Sequence, residues 1–186
     1  MYPTKIEANG HYYKLNTDYR IALACLKAVN DKSINELERF YAIEGLLIDE
    51  DNIIMQDEKI IQEKMAIYLR CGAKENTPSE EIDMDYFKDE VRIKTSIRQC
   101  YHINLNEIPY MHWYEYNELI SGLTSESLLN KTRELRNLKL SDIKDPAERE
   151  KLRKAQEYVS LEEYEEREYT EQEKRSIEQF YKDIGR

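Results

Sequence analysis

Cys100, His102 and His112 come closest to forming a metal-binding set in this sequence. A zinc site needs three or four Cys, His or carboxylate ligands at well-defined spacings. Cys100 and His102 are two positions apart, so they would lie on different faces of a helix. We therefore expect no metal site here, and we expect His112 to be a hydrogen-bonded structural histidine.

Common catalytic and nucleotide-binding motifs are absent from the sequence. It contains no G-x-x-x-x-G-K-[ST], G-x-G-x-x-G, H-E-x-x-H or G-x-S-x-G segment, and five glycines leave little material for a phosphate-binding loop. Cys71 has no histidine nearby in the sequence that could activate its thiol. The sequence therefore predicts a protein that is not an enzyme and binds no cofactor.

Aromatic residues at positions 110–123, YMHWYEYNELISGL, could bind another protein. On a helix that begins near Pro109, one set of side chains falls within an arc of about 120° and is expected to be core. That set is His112, Trp113, Tyr116, Leu119, Ile120 and Leu123. The candidates for binding a partner lie outside this arc, and they are Tyr110, Met111 and Tyr114.

A second candidate surface lies near the C-terminus, where apolar residues recur at i, i+3, i+4 and i+7. These residues are Ile177, Phe180, Tyr181 and Ile184, and they follow the strongly acidic stretch LEEYEEREYTEQE. The stripe could dock on its own domain or on another chain, and the sequence does not choose between these two possibilities.

Most of the chain shows the apolar spacing of helices. Asn9-Gly10 supplies the two positive φ angles of a type I′ turn and predicts an N-terminal hairpin. In the segment INELERFYAIEGLLI, the side chains of Leu37 and Leu47 are expected on one buried face with Phe40 or Tyr41. Asp145 and Pro146 predict the start of the last helix.

The predicted fold is mainly α, a compact helical domain over residues 1–159 with an N-terminal β-hairpin. An acidic helical extension follows over residues 160–186, so that the C-terminal helix is either long or broken.

Composition restricts the class of partner. A formal net charge of −10 would repel phosphate backbones, which argues against nucleic acid and leaves a basic protein surface as a plausible partner. The three cysteines form no C-x-x-C pair, as is typical of a reducing cytoplasm. No stretch approaches the roughly 18 apolar residues of a membrane span, so we expect no membrane association.

Five segments, in order, resemble the "gene product fifteen" family of long-tailed siphovirus phages of Gram-positive bacteria. They are YPTKIEANGHYYKLNTDYRIAL, YLRCG, DMDYFKDEVRIKTSIRQCYHINLNEI, MHWYEYNELISGL and RNLKLSDIKD, and the resemblance covers residues 2 to about 159. Tyr114 and Tyr116 stand where the family tends to have Trp and Phe. The acidic tail after Val159 has no counterpart in it.

The resemblance implies a tail-assembly chaperone, encoded just before the tape-measure gene and acting in the host bacterial cytoplasm. Such a protein would bind the long helical tape-measure protein, weakly associate with its own copies, and also meet tail tube subunits. Two other classes stay open at this point. One is a structural tail or connector protein retained in the virion, and the other is an acidic host-takeover protein, including a DNA mimic.

Overall fold

The computed structural model describes residues 1–49, 53–72 and 83–161, and these form a mainly α fold with an N-terminal hairpin, as predicted. The strands are β1 (Lys5–Ala8) and β2 (His11–Lys14). The helices of the described residues are α1 (Tyr19–Asn30), α2 (Glu36–Leu47), α3 (Glu58–Leu69), α4 (Glu90–Tyr101), α5 (Trp113–Ser121), α6 (Leu128–Asn137) and α7 (Pro146–Val159), and a short 3-10 turn, Leu140–Asp142, precedes the last of them.

The N-terminal hairpin has the predicted two-residue turn. Asn9 and Gly10 have φ angles of 50° and 86°, and Ala8 pairs with His11 across the antiparallel strands. A type I′ turn requires positive φ at both positions, which Asn and Gly adopt at the lowest cost.

A buried carboxylate fixes this hairpin to the start of α3. Asp57 is 1% exposed and accepts hydrogen bonds from Asn9 Nδ2 at 2.7 Å and from the Tyr13 hydroxyl at 2.6 Å. His11 Nδ1 lies 2.8 Å from the same carboxylate. The hydrogen bond from Tyr13, with those from Asn9 and His11, holds the pKa of Asp57 below its ordinary value despite burial.

Acid is expected to weaken this connection. Because the folded pKa of Asp57 is depressed, its contribution to stability is full above the unfolded pKa of about 4 and is lost as pH falls through the folded pKa. Asp57→Asn should therefore be less stable than wild type at pH 7, and the difference should shrink below about pH 4. Urea unfolding at pH 7, 5, 4 and 3 measures it.

Asp49→Asn is the matched control, since Asp49 is exposed and pairs only with Lys14 among the described residues. A gap between wild type and Asp57→Asn that stays constant from pH 7 to pH 3 would contradict the assignment.

The core lies where α1, α3, α4 and α5 meet. Its largest fully buried apolar side chains are Leu47, Ile61, Ile93, Ile97, Trp113 and Leu129. Trp113 donates from Nε1 to the Leu69 carbonyl at 3.1 Å and packs at 5.9 Å, between ring centroids, from Tyr116. Tyr116 in turn stacks on Tyr19 at 4.5 Å, so one aromatic series connects α1 to α5.

The C-terminal part of the fold is held to α4 by a second buried carboxylate, Asp89, whose side chain is fully buried. Arg136 donates to both of its oxygens, at 2.7 and 2.8 Å, and Arg92 adds a contact at 3.0 Å. Burial alone would raise the pKa of Asp89, but the Arg136 guanidinium and the Asp85 N–H keep it below its ordinary value.

The same arginine holds two other segments. Arg136 Nε donates to the Val159 carbonyl at 2.6 Å and Nη1 donates to the Asp83 carbonyl at 2.7 Å. A single guanidinium therefore joins the N-terminal end of α4, the C-terminal end of α6 and the last turn of α7.

Helix α7 begins as predicted, with Asp145 accepting from Ala147 N and Pro146 in the first helical position. It ends at Val159, and Ser160 has an extended ψ of 144°. The helix is therefore broken there. The proposed division into residues 1–159 and 160–186 stays a prediction, because residues 162–186 lie outside the described residues.

Candidate partner-binding surfaces

Helix α5 begins later than the sequence suggested, at Trp113 instead of near Pro109. His112 is its N-cap: Nδ1 accepts from Tyr114 N at 3.0 Å, and Nε2 lies 3.0 Å from the Pro3 carbonyl oxygen, to which it donates. The side chain is 5% exposed. His112 is thus the hydrogen-bonded structural histidine that was predicted.

Met111 was wrongly placed on the outward side. It is 4% exposed, because residues 111 and 112 are extended and pair with the start of α1 instead of belonging to α5. The Met111 carbonyl accepts from Tyr19 N at 2.9 Å, and Trp113 N donates to the Thr17 carbonyl at 2.9 Å. A buried side chain in this position cannot take part in a surface contact without local opening.

Tyr110 and Tyr114, the other two candidates near α5, differ in exposure. Tyr110 is 53% exposed, and its hydroxyl lies 2.7 Å from Thr17 Oγ1. Tyr114 is half-buried in a cluster of rings, where it stacks on Tyr68 at 5.4 Å and meets His112 edge-on at 5.5 Å. Tyr110 therefore remains available to a partner, whereas Tyr114 offers only part of its ring.

A shallow groove of about 420 Å³ runs beside Tyr114. Its lining residues are Cys71, Tyr114, Asn117, Glu118, Ser121 and Gly122. Burial, with a smaller effect of Glu118, raises the pKa of the Cys71 thiol to about 11. The thiol is therefore protonated at neutral pH and would meet a ligand as a small apolar group.

The C-terminal stripe of Ile177, Phe180, Tyr181 and Ile184 lies outside the described residues. Its role as a binding surface stays a prediction.

Helix α2 carries an exposed apolar surface that the sequence pattern had assigned to the core. Leu37 is 62% exposed and Tyr41 52% exposed, so the prediction for Leu37 was wrong. The buried side of α2 is instead centred on Phe40, Ile43 and Leu47. Apolar residues surround this helix, so that spacing alone did not identify the packed side.

We define the α2 outer face as Leu37, Tyr41, Ala42 and Gly45, which fall within about 140° at 100° per residue. All four are exposed, and a Cβ added at Gly45 would meet nothing within 4 Å. Another helix could therefore approach this surface closely, with Leu37 and Tyr41 one turn apart as contacts.

Glu44 lies at the edge of the α2 outer face. Its Oε2 is buried, and no described residue gives it a hydrogen bond. Burial raises the pKa of Glu44, and the nearby Glu58 raises it further. A cationic side chain brought in by a partner would relieve both effects.

Two searches over the described ranges are negative. Within residues 1–49, 53–72 and 83–161, no group of three or more His, Cys, Asp or Glu side chains could hold a metal ion. None of the helices in that part of the chain is both long and apolar enough to cross a membrane.

Comparison with known proteins gives one match. A family model described as "Bacteriophage Gp15 protein" matches residues 2–161. Among curated proteins and among solved structures, nothing matches the chain.

Proposed function

Since the chain belongs to the bacteriophage Gp15 protein family, we propose that it is a tail-assembly chaperone without enzymatic activity that binds the phage tape-measure protein. The observation that carries the proposal, besides the family, is the exposed α2 outer face. A chaperone for a helical client needs an accessible apolar surface, and Leu37 and Tyr41 supply one on a well-formed helix.

The chemistry around this face favours a client helix that is both apolar and basic. Leu37 and Tyr41 would contact its apolar side, and tyrosine is among the side chains that most often carry interface energy. The unpartnered Glu44 oxygen and the exposed Glu36 and Glu38 would meet lysine or arginine beside that apolar side. The formal charge of −10 acts in the same direction over longer distances.

We place this activity in the host bacterial cytoplasm, before the tail tube closes around the tape-measure protein. Weak association between copies of the chaperone and contact with tail tube subunits belong to the same proposal. An apolar strip on a single helix fits such transient contacts better than a large obligate interface.

The test is co-expression of the full chain with the product of the neighbouring tape-measure gene, followed by affinity purification. We expect the two proteins to purify together and the chaperone to be absent from purified virions. Stoichiometric amounts of the protein in virions would instead identify a structural tail or connector protein. Failure to co-purify, with normal tails formed in its absence, would favour a host-takeover role.

Binding should depend on the α2 outer face. The double variant Leu37→Ser/Tyr41→Ser removes two exposed apolar contacts, and we expect a loss of about 2 kcal/mol in binding, or roughly 30-fold in Kd. Because both side chains are more than half exposed, stability should change little. Titration of a labelled tape-measure fragment measures the affinity.

Leu128→Ser/Tyr158→Ser is the matched control, since it removes an exposed leucine and an exposed tyrosine elsewhere. Unchanged affinity of the α2 variant, together with weaker binding by Tyr114→Ala, would move the binding surface to α5.

A further inference from the structure

Helix α4 has an outward side whose charge is opposite to that of the whole protein. Lys88, Val91, Thr95, Arg98 and Gln99 are all exposed and fall within about 100° of arc at 100° per residue. We call these five residues the α4 outer face. It holds two cations and no carboxylate, and Val91 is 74% exposed at its centre.

Acidic residues next to this face are already occupied. Asp89 is buried against Arg136, and Glu90 accepts from Lys94 at 2.5 Å on the side of the helix. Within the ranges that the structure describes, Arg98 forms no ion pair. The α4 outer face can therefore accept an anionic partner without displacing an internal contact.

The chain itself arrives at this face. Lys88 Nζ donates to the Leu161 carbonyl at 2.5 Å, and Arg136 holds the preceding turn through the Val159 carbonyl. Residue 162 therefore starts beside Lys88, at the N-terminal end of α4.

The sequence that follows is complementary to the α4 outer face. Residues 162–173, EEYEEREYTEQE, contain seven glutamates and one arginine, a formal charge of −6, with Tyr164 and Tyr169 as their large apolar side chains. Twelve residues reach about 18 Å as a helix, which equals the length of α4 from Lys88 to Gln99, and reach farther when extended.

We propose that residues 162–173 bind the α4 outer face of the same chain. Glutamates would lie beside Lys88 and Arg98, and a tyrosine ring would cover Val91. The attachment at Leu161 gives this intramolecular partner a high effective concentration, so that weak surface contacts suffice.

Zero-length carbodiimide cross-linking of the full chain tests the proposal, because it joins a lysine amine to a carboxylate only in direct contact. The informative product joins Lys94 to Glu168, Glu171 or Glu173. Lys88 is excluded, since Leu161 already lies beside it. An equal mixture of 14N- and 15N-labelled protein separates products within one chain from products between chains.

We expect Lys94 products within one chain, and Arg98→Glu should lower their yield about threefold, the effect of one surface charge contact. Sodium chloride at about 0.5 M should lower it as well. Lys32→Glu is the matched control: it reverses an exposed charge between α1 and α2 and should leave the yield unchanged. Circular dichroism checks that both variants are folded.

Products of mixed isotope label would show that a second copy occupies the face and would overturn the proposal. Absence of Lys94 products, or equal yields from wild type and Arg98→Glu, would also overturn it.

Discussion

Arg136→Met is expected to destabilise the fold by about 3 kcal/mol or more. The reason is that Asp89, fully buried, would keep its charge and lose a bidentate partner. Arg92 remains at 3.0 Å and limits the loss to the lower part of the usual range. For a domain whose total stability is of order 5–15 kcal/mol, this is a large fraction. Urea denaturation followed by Trp113 fluorescence measures it.

Two further variants separate the buried charge from a general loss of packing. Arg153→Met removes an equally long side chain from exposed ion pairs on α7 and should change stability little. Adding Asp89→Asn to Arg136→Met should recover part of the loss, because the uncompensated charge disappears. A double variant that is as unstable as the sum of the two single variants would show that charge is not the cause.

Trp113→Ala should cost about 3–5 kcal/mol of stability. The side chain is 1% exposed, and its removal would leave a cavity between α3 and α5 and free the Leu69 carbonyl. Trp113 is the single tryptophan of the chain, so unfolding must be followed by far-UV circular dichroism.

Phe87→Ala is the comparison for Trp113→Ala, since Phe87 is also aromatic but 39% exposed. We expect a clearly smaller loss for it, because a partly exposed site creates no closed cavity. Similar losses for the two variants would mean that Trp113 is not central to the core.

Features set by neighbouring residues were predictable from the sequence. Asn9-Gly10 forms the expected turn, and Asp145-Pro146 begins α7. His112 was also identified as structural, since its position beside Trp113 put it on the packed side. In each case the determining residues lie within a few positions of one another, where backbone preferences act directly.

Features set by distant contacts were not predictable. Pairing of His112 with Asp18 keeps residues 111 and 112 extended, and this moved the start of α5 and buried Met111. The apolar residues around α2 satisfied more than one helical face, so Leu37 was assigned to the wrong one. The carboxylates of Asp57 and Asp89 take partners 44 or more residues away, and a sequence rich in acids gives no sign of which will be buried.

The hydrogen bonds of the first residues set a condition on synthesis of the protein. Pro3 is bonded to His112, 109 positions later, and the Tyr2 hydroxyl donates to Glu118, 116 positions later. On the ribosome, the N-terminal residues therefore wait for these partners until residue 118 has emerged. Since Tyr2 also stacks on His112 at 4.7 Å, a shorter nascent chain leaves that ring uncovered, and the aromatic cluster closes only late in translation.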